Sequence, residues 1–144
     1  MKSLLIQSEA NVEDNNIKEK FLKHGIPYND IDKQMIEIID VLNFDLNIKT
    51  KFCCFGHNKD QQTYIVFDEN VNDNDIISLA VCLNEHLEWF GEFNKWIRSS
   101  GKGNELMINW VWESKWYYDP KYDHIKENNL IKIVKILKNH KKQK

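Results

Sequence analysis

The stretch Asn47–Asp68, NIKTKFCCFGHNKDQQTYIVFD, decides the fold. Ile48, Thr50, Phe52 and Cys54 alternate with Lys49, Lys51, Cys53 and Phe55, a period of two that predicts a β-strand over Leu46–Phe55. After the polar GHNKDQQ comes TYIVFDE, β-branched and aromatic, so the two segments are expected to pair as an antiparallel hairpin with a longer than minimal loop. The alternation sends Cys53 and Cys54 to opposite faces, so the two thiols share a site only through a bulge.

Working outward, the flanking segments change period. NNIKEKFLKHGIP places Ile17, Phe21 and Leu22 at helical spacing, with Asn15 or Asn16 to cap and Gly25 and Pro27 to stop. YNDIDKQMIEIIDVLNFD puts Ile31, Met35, Ile38, Ile39 and Leu42 on one stripe and predicts a second helix. The longest helical pattern follows the hairpin: Ile76, Leu79, Ala80, Leu83, His86, Leu87, Phe90 and Phe93 or Ile97 recur at three and four, with Asn74 or Asp75 as cap and Ser99–Gly103 as the end. Gly91 interrupts it at a cost of about 1 kcal/mol against alanine, and a break there leaves two shorter helices. ELMINWVWES alternates Leu106, Ile108, Trp110 and Trp112 against Met107, Asn109, Val111 and Glu113, a third strand. NNLIKIVKILKNHKKQK closes with a helix burying Leu130, Ile133, Val134 and Leu137. The order α-α-β-β-α-β-α predicts an α+β fold, a small antiparallel sheet of three to four strands with helices packed on one face.

With 144 residues, 42% of them hydrophobic, residues 1–144 are expected to form a single domain. No run approaches the ~18 apolar residues of a membrane span, so no membrane partner is expected. Leu4–Ile6 is too brief for the core of a signal peptide, and three cysteines make no disulfide framework, so a reduced, cytoplasmic location is expected. A net charge of −2 and a single arginine, Arg98, argue against direct nucleic-acid binding, because bidentate readout of guanine and phosphate is arginine's chemistry.

Metal ligands announce themselves by spacing. Cys54 and His57 close the strand, while Cys82 and His86 stand at i,i+4 on one helix face, and the four would make a Cys2His2 zinc site. The Leu79, Leu83, Leu87 and Phe90 around the second pair favour a simpler account, a helix face packed on a sheet. A thiol nucleophile activated by His57 lacks a third, orienting group. There is no phosphate-cradling glycine loop, no GxSxG and no HExxH, which turns the reading from an enzyme towards a binding protein without catalysis. Cys54, Gly56 and His57 remain a candidate small-ligand pocket, in a reading as a ligand- or zinc-binding protein with or without catalysis. Trp112, Trp116, Tyr117, Tyr118 and Tyr122 exceed what a small core needs and are candidates for a partner surface.

Thr50, Cys54, Gly56, His57, Tyr64, Ile65 and Phe67 resemble a pattern in small α+β proteins of phages and mobile elements, a strand T-x-x-S/C-C-x-G-H followed by a polar loop and Y-I-x-F. Cys53 stands where that pattern has serine. The resemblance covers about twenty residues. It implies a phage accessory protein, of the group that includes anti-CRISPR inhibitors of bacterial immunity. Such proteins bind a bacterial protein or nucleoprotein complex or sequester a signal molecule.

Overall fold

The computed structural model describes residues 15–56, 62–114 and 123–143, the last with side chains over 127–140. The chain divides into a small unit that ends at Ile31 and a larger one, Asp32–Lys144. In the small unit, helix α1 spans 15–23 and stops where Gly25 takes φ 76°, with Ile26 N donating to Phe21 O at 2.8 Å. Left-handed backbone at a helix end is glycine's usual task. Phe21 meets Tyr28 edge-to-face, their ring centres 5.7 Å apart.

The larger unit is built on a four-stranded antiparallel sheet in the order β1-β2-β4-β3, with β1 Thr50–Cys54, β2 Thr63–Phe67, β3 Glu92–Ser99 and β4 Leu106–Ser114. Helix α2, Ile36–Asp40, precedes the sheet, α3, Asp73–His86, joins β2 to β3, and α4, Asp123–Gln143, follows β4. β2 and β3 run parallel with β4 inserted between them, antiparallel to both, which makes β2-α3-β3 a split βαβ unit. One face of the sheet, with Ile65, Phe67, Phe93 and Trp112, meets Ile38 and Leu42 near α2, Leu79 and Leu83 of α3, and Ile133 and Leu137 of α4. The fold is α+β, with helices on one face of a small antiparallel sheet.

Three local expectations are corrected. The long helix ends at His86, and Glu92–Ser99 is a strand, so the element order gains a β-strand before β4. Gly91 marks the change: its φ is 101°, and its Cα hydrogens face the backbone of Glu113 and the Trp112 indole. The second expected helix is broken into 3-10 turns at Tyr28–Asp30 and Lys33–Met35, the short α2, and a π-helical turn at Val41–Asp45. That wide turn buries Val41 and Leu42 side by side and brings Asn43 to the sheet, where its Oδ1 accepts from Thr50 N at 3.1 Å and its Nδ2 donates to Thr50 Oγ1 at 2.9 Å. In β1, the pairs Thr50–Phe67 and Phe52–Val66 leave Lys51 as a bulge. The extra residue inverts the alternation, so Thr50 and Phe52 lie on opposite faces and Phe52 is exposed.

α3 opens on Asn72, whose Oδ1 accepts from Asn74 N at 2.7 Å, and Asp73 and Asp75 in its first turn suit the positive end of the helix dipole. Asp73 also fastens the β3–β4 hairpin. Its Oδ1 takes a hydrogen bond from Trp110 Nε1 at 2.8 Å and an ion pair from Lys95 at 2.9 Å, while Lys95 lies 5.0 Å from the centre of the Trp110 ring. The Lys95 ammonium, then the Trp110 indole, hold the Asp73 carboxyl below the usual carboxylate range.

Candidate functional site

The end of β1 is where sequence places a pocket, and it is tied down by hydrogen bonds. Past the bulge, Cys53 pairs with Ile65 on the helix-covered side and Cys54 with Tyr64 on the other, so the two thiols remain on opposite faces. Asp32 Oδ2 accepts from Phe55 N at 2.9 Å, and Thr63 Oγ1 donates to Phe55 O at 2.7 Å, which closes the strand end from both sides. Gly56, at φ 95°, turns its N–H back onto Cys54 Sγ at 3.4 Å. Cys54 and Gly56 are therefore together. His57 lies outside the described residues.

Burial, then the Asp32 carboxylate and the neighbouring Cys54, push the Cys53 thiol up to about 12. A thiol so shifted is not a thiolate near neutrality and is a poor nucleophile. In native protein at pH 8, iodoacetamide is expected to leave Cys53 unmodified and to label it fully only after denaturation, as read by peptide mass spectrometry. Labelling of Cys53 at the rate of a free thiol would contradict its placement. The same neighbourhood raises the Tyr64 phenol, through burial first and then Cys54, Cys53 and Asp32.

Of the residues spaced as a zinc set, the three that are described fall on two sides of the sheet. Cys82 and His86 lie on α3, which covers the face of Ile65 and Phe67, whereas Cys54 is on the opposite face. Among the described residues no three His, Cys, Asp or Glu side chains come together as a metal site. Cys82 is buried as part of the helix face packed on the sheet. On the side of Cys54, Glu69 pairs with Lys51 of the bulge and accepts from Asn109 Nδ2 at 3.3 Å. The hydrogen bond from Lys51 chiefly holds the Glu69 carboxyl down at about 2. Asn109 is itself buried and donates to Phe67 O at 2.8 Å, in place of a backbone partner beyond the last β2–β4 pair.

Of the five aromatic residues expected at a partner surface, Trp112 is among the described residues. Trp112 is 4% exposed and its Nε1 donates to Phe90 O at 2.7 Å, so it belongs to the core and offers no ring to a partner. Its neighbours across the sheet are Ile65 and Phe93, which enclose it from both adjoining strands. Trp116, Tyr117, Tyr118 and Tyr122 lie outside the described residues.

Among the large hydrophobic side chains that the larger unit exposes, three aliphatic ones share one hairpin end. Beyond the Asp73 latch, Ile97 pairs with Ile108, and Leu106 stands one alternation further along β4 on the same face. They are 66%, 47% and 65% exposed. Arg98 and Lys102 on the same hairpin are exposed and cationic. The expected helix hid this cluster by assigning Ile97 to the wrong element. The signal that finds it is Gly91 followed by the period-two run Phe93, Lys95, Ile97 and the turn residues SSGKG.

No curated protein and no solved structure matches the chain. A family model described as YoqC prophage protein matches residues 19–144, across both strand pairs and the closing helix, and the chain belongs to that prophage protein family.

Proposed function

We propose that this prophage-family protein is a non-enzymatic binding protein that occupies a surface on a bacterial protein or nucleoprotein complex in the cytoplasm. The specific form of the reading is an inhibitor of a bacterial defence system, acting in the anti-CRISPR manner. The observation that carries it is the aliphatic end of the β3–β4 hairpin, where Ile97, Leu106 and Ile108 are left uncovered by the helix layer. Burying a fully exposed side chain of this kind gains about 1.5–3 kcal/mol, and these three are already partly covered, so together they contribute a few kcal/mol towards a larger contact. Aliphatic side chains do not stack on bases, which favours a protein surface over single-stranded nucleic acid. Exposed Lys102 in the adjoining turn suits an apolar depression with an acidic rim.

The test is co-purification from lysate of a bacterial host at low salt with affinity-tagged wild type, Ile97→Lys/Leu106→Lys and Cys54→Ala. A partner retained by wild type and by Cys54→Ala, and depleted at least about tenfold on the double variant, supports the hairpin. Retention unaffected by the double variant, or no retained partner from folded wild type, overturns it. Both hairpin residues are exposed, so the double variant is expected to stay within about 1 kcal/mol of wild-type stability.

A further inference from the structure

Between the last turn of α3 and the C-terminal half of α4 lies an open cleft of about 490 Å³, within the ~300–1,000 Å³ range of small-molecule sites. Its apolar lining comes from Leu87, Ile136 and Cys82, the last only 5% exposed. Its polar lining is cationic. Lys132, Lys135 and Asn139 recur at three and four along α4, with His140 beside them, so one stripe of the helix carries them into the cleft. His86 enters from α3.

The formal charges that line the cleft favour one sign. Against the two lysine ammonium groups stand one full negative charge, the Glu85 carboxylate, and the partial negative charges at the C-terminal ends of α3 and, one turn beyond His140, of α4. In formal charge the lysines outweigh the carboxylate two to one. Neither lysine is ion-paired to a described residue. In a chain whose formal charge is −2, the cleft is a local reversal of sign, and concave surfaces of one sign concentrate counter-ions.

The donor set also selects the shape of the anion. A planar carboxylate is best matched by the fork of an arginine, and the single arginine of the chain, Arg98, is on β3. Point charges on flexible stems, joined by imidazole N–H donors from a second helix, suit the several oxygens of a phosphate. We propose that the α3–α4 cleft binds a small phosphorylated molecule of nucleotide size. Lys132 and Lys135 hold its phosphate oxygens, His86 and His140 donate hydrogen bonds to them, and Leu87 and Ile136 receive its less polar body. This site is independent of the hairpin reading, and its test uses no protein partner.

The experiment is titration of the full chain with AMP and with inorganic pyrophosphate at constant ionic strength, followed by the imidazole resonances in a 1H–13C spectrum. His86 and His140 are expected to move together, while His24, exposed at the end of α1 with its ring N–H on Lys20 O, stays still. Lys132→Ala/Lys135→Ala is expected to weaken binding at least about tenfold, and Glu85→Gln to tighten it. Both lysines are exposed, and an unchanged melting temperature of the double variant shows that the fold is kept. Three results overturn the proposal. One is no movement of either imidazole at about 10 mM ligand, where any site tighter than millimolar would be filled. The second is equal movement with acetate, and the third is affinity that the double lysine variant leaves unchanged.

Discussion

Gly91→Ala is expected to lose most of the folded protein's margin, with a cost of about 3–5 kcal/mol, a drop in melting temperature of about 10 °C or more, and a matching fall in the urea midpoint. Two effects add. At φ 101° an L-residue is held in a region it rarely visits, at about 1–3 kcal/mol. A Cβ there would also overlap the carbonyl oxygen of Glu113 and come to 3.0 Å from Trp112 Nε1. Glu113 O is backbone in the central part of the sheet and cannot swing aside, so β3 would have to leave β4. Gly101→Ala separates the two effects, since Gly101 has φ 77° but nothing within 4 Å of a built Cβ, and its cost should be limited to about 1 kcal/mol. Equal losses at the two positions would contradict the close approach of Gly91 to β4.

Trp112→Ala is expected to cost about 3–5 kcal/mol, as for other large core aromatics cut back to alanine. The side chain stands between Ile65 of β2 and Phe93 of β3, so its removal opens a cavity shared by three strands and the helices above them. Trp112→Phe keeps much of the volume but leaves Phe90 O without its donor, for about 1–3 kcal/mol. Chemical denaturation measures both. A partner-facing tryptophan would behave in the opposite way, with loss of binding at unchanged stability, and that outcome would remove Trp112 from the core.

Where sequence periodicity reflects one-sided burial, it reads correctly. Leu79 and Leu83 of α3 and Ile133, Val134 and Leu137 of α4 all occupy the buried positions their spacing implies. β3 was concealed because Leu87, Phe90, Phe93 and Ile97 happen to continue the spacing of α3, although a strand needs only that alternate residues share a face. Period alone does not choose between these readings over eight residues; the positive φ that Gly91 supplies does. The inversion in β1 depends on a bulge at Lys51, a matter of how two strands meet rather than of either strand's composition. The π-helical turn is similar, since nothing in the composition of Val41–Asp45 marks a wider turn. Of the candidate site, the adjacency of Cys54 and Gly56 follows from local spacing. The separation of Cys54 from Cys82 and His86 was not legible, because it depends on which face of the sheet α3 covers.

The hairpin end is tested most directly by a photo-reactive amino acid placed at Ile97, with a second chain carrying it at exposed Lys138 on α4. Irradiation in bacterial lysate, followed by mass spectrometry, should give one predominant bacterial protein cross-linked from position 97 and not from position 138. Adducts of the same proteins in equal amount from both positions, or none from position 97, would contradict the hairpin as the surface by which this prophage protein binds.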